Sequence, residues 1–153
     1  MVGMTRMVTR LVLVGALALG GLAATGAPAG ADPSAAAQGA ADYAATKVGC
    51  PYVRGASGPC RFDDPGLIQA AYASVGITLP HSVAGEYQST TPVAFSDLEV
   101  GDLVFYADPT GAGPLFDAIY EGQGIVIYVA TTGTVVHRAP VGVAPIYATG
   151  RVA

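Results

Sequence analysis

Charge is scarce in this chain, and basic charge is scarcer still. Only 12% of the 153 residues are charged, with 7 Lys and Arg against 11 Asp and Glu, for a formal net charge of −4. A dedicated nucleic-acid binder needs a basic patch to meet phosphates, so that class is excluded. The low charge comes with 52% hydrophobic residues, which excludes a disordered chain. The sequence holds 2 His and 2 Cys, with no H-E-x-x-H and no closely spaced ligand set. It therefore lacks a zinc signature. No apolar run beyond residue 24 is long enough to span a bilayer. There is no internal repeat and no low-complexity tail, and the length leaves little room for two domains.

What is present begins with an export signal. Arg6 and Arg10 precede an uncharged apolar run from Leu11 to Ala24, and Ala29-Gly30-Ala31 supplies an A-x-A cleavage site before Asp32-Pro33. This is the layout of a secretory signal peptide over residues 1–31. A membrane anchor is the rival reading, but a spanning helix needs about 20 apolar residues, and Gly20, Gly21 and Pro28 break the continuation. The expected mature chain is 32–153, a single domain with five basic and eleven acidic side chains and a charge of −6. It is expected outside the cell, in the cell wall or periplasm, with no stable membrane anchor. Cys50 and Cys60, with nine residues between them, read as a disulfide in that compartment. Closing so short a loop contributes on the order of 2–3 kcal/mol.

The mature chain reads as helices followed by strands. Ser34 is placed to cap a helix through the Ala-rich stretch to about Lys47, with Gly49 as its stop. Residues 50–61, rich in Gly and Pro, form a structured loop. Asp64-Pro65 is expected to open a second helix, with Asp64 as its N-cap and Leu67, Ile68, Ala71, Tyr72 and Val75 as its buried face. A short helix follows over 82–88. Strands are expected at 103–106, 125–131, 134–138 and 141–147, with a tight hairpin at Thr132-Gly133 and a long connection over 107–124. Helices before consecutive strands give an α+β fold with an antiparallel sheet.

Three blocks carry a family resemblance. GCPYVRGASGPCRFDDPGLIQAAYASVGITLP, SDLEVGDLVFY and GIVIYVATTGTVVHRAP occur in that order over about residues 40–150. They resemble the NlpC/p60 cell-wall peptidases, whose patterns run G-x-P-Y-x-W-G-G, F-D-C-S-G-L and G-x-x-L-P, then D-L-x-P-G-D-L, then H-V-G-I-Y and a second His near Ala-Pro. The resemblance implies a papain-like domain with helices packed on an antiparallel sheet. It also implies a thiolate nucleophile at a helix start, a His base on the facing strand and a third polar residue orienting that His. Such enzymes cut peptidoglycan stem peptides, commonly between D-glutamyl and the following diamino acid.

The chain departs from that pattern where the chemistry sits. Asp64 stands at the nucleophile position, Pro65 follows in place of Ser, and Gly124 falls at the position matched to the base His. His137, at the third position, is retained. Tyr52 matches the family's Pro-Tyr tyrosine, Asp63 matches the Asp before the nucleophile, and Arg54 replaces a Trp. With no thiolate–imidazole pair, the expectation is a pseudoenzyme: an exported non-catalytic domain that binds peptidoglycan stem peptides or modulates other cell-wall hydrolases. Tyr52, Asp63, His81 and His137 are the ligand-binding candidates. Two alternatives stand beside it: an endopeptidase with an unrecognised nucleophile, and a regulator that binds a protein partner without touching the wall. Asp63, Asp64 and His137 offer oxygen and nitrogen donors, but without ligand spacing, so neither metal nor cofactor is expected.

Overall fold

The computed structural model describes residues 33–153. The signal peptide read over 1–31, with its cleavage site at Ala31, lies outside the described residues. Helix α1 spans Pro33–Thr46, α2 Asp64–Ala73 and α3 Val83–Gln88; the strands are β1 Thr90–Pro92, β2 Leu103–Ala107, β3 Pro114–Gly122, β4 Ile125–Tyr128, β5 His137–Pro140 and β6 Ile146–Val152. One sheet contains all six strands in the order β1-β6-β2-β3-β4-β5, and every neighbouring pair is antiparallel. The fold is α+β, as the order of helical and strand patterns requires. Among the described residues, no helix is long and apolar enough to cross a membrane.

The helices cover one face of the sheet. Ala40, Ala41 and Ala44 of α1 are fully or almost fully buried with Leu67, Ile68, Ala71 and Tyr72 of α2, against Leu103, Phe105, Ile119 and Ile127 of the sheet. Small alanines let α1 approach α2 closely, and burial of α2's apolar stripe then holds both helices on the strands. The other face carries Val104, Tyr106, Ala118, Val126 and Tyr128, packed with Leu98, Val141 and Ala144 from connecting segments. β2 is thus buried on both sides, which explains its unbroken apolar run Leu-Val-Phe-Tyr. The rim is fastened where Arg151 of β6 donates from Nε and Nη2 to the two oxygens of buried Asp102, each at 2.8 Å.

The segment 107–124 differs most from its expectation. It contains β3, a central strand paired with both β2 and β4. Its start is masked by the Gly- and Pro-containing turn before Pro114, and an acidic residue, Asp117, sits on its buried stretch. Near the C-terminus the strands lie later than expected: 134–138 becomes β5 at His137–Pro140, and 141–147 becomes β6 at Ile146–Val152. Pro140 and Pro145 lack the N–H that a continuous ladder needs, so the chain turns between them, with the Val143 N–H donating to the Pro140 carbonyl at 3.0 Å.

α2 is anchored to the loop before it through Gly66. A Cβ there would run into the Ala56 carbonyl oxygen and the Asp63 carboxylate. Gly66→Ala is therefore expected to lower stability by about 1–3 kcal/mol. Gly142→Ala, where a Cβ meets nothing within 4 Å, is expected to stay within roughly 0.5 kcal/mol of the parent. Urea denaturation of the two variants checks the difference.

Candidate active site

The site is built around the start of α2. Upstream, the loop 50–61 is closed by the Cys50–Cys60 disulfide. It is pinned by backbone bonds from Tyr52 N–H to the Thr134 carbonyl at 3.0 Å and from Asp63 N–H to the Ala56 carbonyl at 2.9 Å. The N-cap of α2 is Asp63, which corrects the assignment of that role to Asp64. Asp63 has the extended backbone an N-cap requires, and its Oδ1 accepts the Gly66 N–H at 2.9 Å. Its Oδ2 accepts the Gly55 N–H at 2.7 Å, and His81 Nε2 lies 2.7 Å from Oδ1. His81 is fixed from its other nitrogen by Gln69 Oε1 at 3.1 Å, and Gln69 donates to the Leu79 carbonyl at 3.0 Å. Two of the four binding candidates, Asp63 and His81, are thus brought together as a brace between the loop, α2 and the segment before α3.

With Asp63 as the cap, Asp64 is the first residue of the helix and its side chain turns towards the sheet. It is 7% exposed, and Oδ2 accepts the backbone N–H of Asp117 on β3 at 3.0 Å. Asp117 and Glu86 of α3 are fully buried. The remaining oxygen of Asp64 and all four carboxyl oxygens of Asp117 and Glu86 have no hydrogen-bond donor from any other side chain or backbone group among the described residues. The carboxyl of Asp117 interacts electrostatically with those of both Asp64 and Glu86.

Burial and mutual repulsion set the proton affinity of this cluster. Desolvation is the largest cause and pushes Asp117 up to about 7, while its neighbours hold it from rising further. Burial, then the charge of Asp117, raises Asp64 well above the ordinary carboxylate range. Glu86 is pushed up to about 12, by burial first and then by Asp117. Three carboxyls packed together cannot all ionise at neutral pH, and their protons are held in common.

Asp64 lines a groove of about 370 Å³ with Tyr52, Pro65, Val83, Leu115 and Phe116. Its lining is largely apolar with Asp64 as its one acid, and Leu115 stands 57% exposed in it. Tyr52 is the only one of the four ligand-binding candidates that lines this groove. His137 belongs elsewhere: its ring lies 4.5 Å from that of Tyr128, and Nδ1 is 2.7 Å from the Val135 carbonyl oxygen. Gly124 sits in the turn between β3 and β4 at φ +75°, with its N–H donating to the Tyr120 hydroxyl at 2.9 Å. It is not on the strand that meets Asp64. The residue occupying that place is Asp117, five residues before the end of β3.

Asp117 and Glu86 were not singled out from sequence. The available signal was weak: an acid inside the apolar stretch Phe-Asp-Ala-Ile-Tyr, and another within Val-Ala-Gly-Glu-Tyr. Neither pattern says that the two acids meet. No group of three or more His, Cys, Asp or Glu among the described residues is arranged to hold a metal ion.

Residues 49–147 match the NlpC/P60 family. A stretch of 98 residues is 43% identical to a probable endopeptidase of Corynebacterium glutamicum, covering 63% of this chain and 44% of that protein. A stretch of 106 residues is 42% identical to a probable endopeptidase of Mycobacterium tuberculosis, covering 68% of this chain and 26% of that protein. The solved structure of NlpC2 from Trichomonas vaginalis superposes with a TM-score of 0.70 at 28% identity, over 76% of this chain and 47% of that one. The chain spans less than half the length of these relatives. The expectation of a non-catalytic pseudoenzyme is corrected by them: both curated relatives are named as endopeptidases, and none of the comparisons supports a loss of activity. The family match runs from the disulfide loop through both helices that border the groove and into β6, and the chain belongs to the NlpC/P60 family.

Proposed function

We propose that the protein is an exported endopeptidase that hydrolyses an amide bond of peptidoglycan stem peptides, in the groove over the start of α2. One observation carries the reading. The residue at the family's nucleophile position, Asp64, lines that groove at the start of α2, with one oxygen accepting the Asp117 N–H of β3 at 3.0 Å and the other buried. The relatives named as endopeptidases support the reaction class. The D-glutamyl–diamino acid bond follows from the family resemblance of the three sequence blocks. Export follows from the N-terminal sequence, which has the layout of a signal peptide.

Both cysteines are in the disulfide and none is free among the described residues, so the reaction must be independent of thiols. Incubation of the whole protein with muropeptides from purified sacculi, followed by mass spectrometry, is expected to show scission of the stem peptide. Iodoacetamide should leave the rate unchanged. No cleaved product at equimolar protein overturns the reading.

The buried acids also fix a pH window for stability. Their folded-state proton affinities lie above those of the unfolded chain, whose carboxyls titrate near 4. The folded state therefore binds more protons across this range. The associated stability is complete below the unfolded value and is lost as pH rises towards about 7, where Asp117 ionises. The melting temperature is expected to be higher at pH 5 than at pH 8. Asp117→Asn should flatten that slope, which calorimetry across the range checks.

A further inference from the structure

Resting on the endopeptidase reading, we propose that Arg54 is a substrate-binding residue: its guanidinium, beside the groove, holds a free carboxylate of the stem peptide next to the scissile amide. Arg61 and Lys47 extend the same positive field along the disulfide loop.

The observation is where the chain leaves its positive charge. The described residues hold five basic side chains, Lys47, Arg54, Arg61, Arg138 and Arg151. Two of them are engaged within the fold. Arg138 donates from Nε and Nη2 to the two carboxylate oxygens of Glu121 at 2.6 and 2.7 Å, and Arg151 is paired with Asp102 and Glu99. The other three all fall within residues 47–61, a stretch with no Asp or Glu. Lys47 lies over the ring of Tyr43, 4.6 Å from its centroid. Arg54 and Arg61 are exposed, and neither guanidinium has a hydrogen bond or ion pair with another described residue. In a protein of net negative charge, the unpaired cations are gathered on one loop.

The loop places Arg54 beside the groove. Two residues before it, Tyr52 lines the groove. Directly after it, the Gly55 N–H donates to Asp63 Oδ2 at 2.7 Å, and the Ala56 carbonyl accepts the Asp63 N–H at 2.9 Å. Those bonds tie the turn to the start of α2, where Asp64 and Pro65 continue the same lining. The turn itself is closed by the Ala56 N–H donating to the Val53 carbonyl at 3.0 Å, and the Val53 N–H donates to the Phe62 carbonyl at 2.9 Å. With its base fixed in this way and by the Cys50–Cys60 bridge, only the arginine's own side chain has to be ordered on binding, which keeps the entropic cost low.

The substrate's chemistry supplies the partner. A glutamyl residue enters the scissile amide through one of its two carboxyls and keeps the other free. An anionic peptide approaching an acidic protein meets repulsion. A guanidinium beside the groove offsets it, and its planar fork matches a carboxylate through two parallel N–H donors. Asp64, the one acid in the lining, is raised well above the ordinary carboxylate range by burial first, so it opposes an anion less than an exposed Asp would. The family pattern has Trp at this position, so the contact belongs to this chain and not to the pattern.

The test uses the whole protein and muropeptides from purified sacculi. Arg54→Gln is expected to raise KM by about 5–30-fold, the lower part of the range for a charge-assisted hydrogen bond because the site is exposed. Its kcat should stay within twofold, and Arg54→Lys should recover part of the loss. The ratio of wild-type to Arg54→Gln kcat/KM should shrink between about 50 mM and 500 mM salt, as screening removes the attraction. Arg138→Gln, which removes the same charge far along the chain, should leave kcat/KM within twofold. Substrates with one free carboxyl amidated are the second readout. For the wild type, amidation at the bound carboxyl should raise KM as much as Arg54→Gln does, and the variant should barely distinguish the two substrates. Separate amides on the glutamyl and the diamino acid tell which carboxyl is held.

Equal KM for wild type and Arg54→Gln, while both cleave, overturns the carboxylate contact and leaves the endopeptidase reading standing. An Arg54→Gln variant that discriminates against amidated substrates as strongly as the wild type does the same. A wild type that cleaves nothing removes the endopeptidase reading, and titration of fluorescently labelled muropeptide then decides the contact by itself. Binding weakened by Arg54→Gln by a similar factor supports it, and equal binding or none overturns it.

Discussion

The carboxylate of Asp63 is the contact on which the arrangement of the site depends. It satisfies the buried N–H of Gly66 at the start of α2, reaches back to the N–H of Gly55 in the disulfide loop, and meets His81 on the way to α3. A helix start leaves unsatisfied N–H groups and a partial positive charge, and one carboxylate here answers both. Because Asp63 takes the cap, the next residue begins the helix and points at β3. A shift of the cap by one residue would turn Asp64 away from Asp117 and leave the groove without its acid.

The second constraint is the burial of three acids. Each fully buried carboxyl without an external donor is costly if ionised. The protein accommodates them by packing Asp117 close to both Asp64 and Glu86, with burial raising the proton affinity of all three. Replacing all three by apolar residues of similar shape would remove that penalty. The cluster lies behind the groove, with Asp64 alone of the three reaching its lining.

Much of the framework was legible from sequence because it rests on local signals. The short helix expected over 82–88 forms as α3, and Ser82 accepts the Gly85 N–H at 3.1 Å. The apolar spacing of Leu67, Ile68, Ala71 and Tyr72 does face the sheet, and the Cys50–Cys60 pair is bridged. The failures share a cause. Asp63 and Asp64 are adjacent acids with equal capping ability, and the choice between them is made by Gly55 and His81, which are distant in sequence. Matching Gly-Ile-Val-Ile-Tyr to the family's base strand put Gly124 where the fold has a turn. The strand that faces α2 lies one hairpin earlier, within 107–124, where the Gly- and Pro-containing turn hides its start. Once β3 was missed, Asp117 had no face and Glu86 no partner.

The missing thiol therefore has a different meaning in three dimensions than in one. Read along the chain, Asp64 is a lost nucleophile and Gly124 a lost base, two defects with no compensation. In the folded protein the positions that meet are Asp64 and Asp117, a carboxyl facing a carboxyl. A helix N-terminus favours a carboxylate as it favours a thiolate, so the local field of α2 suits either. What a lone carboxylate lacks is proton affinity, since an exposed Asp is too weak a base to draw a proton from water effectively. Burial, and then the charge of Asp117, raises that affinity at Asp64. The acid at the start of α2 is thus accommodated together with acids on the facing strand and on α3.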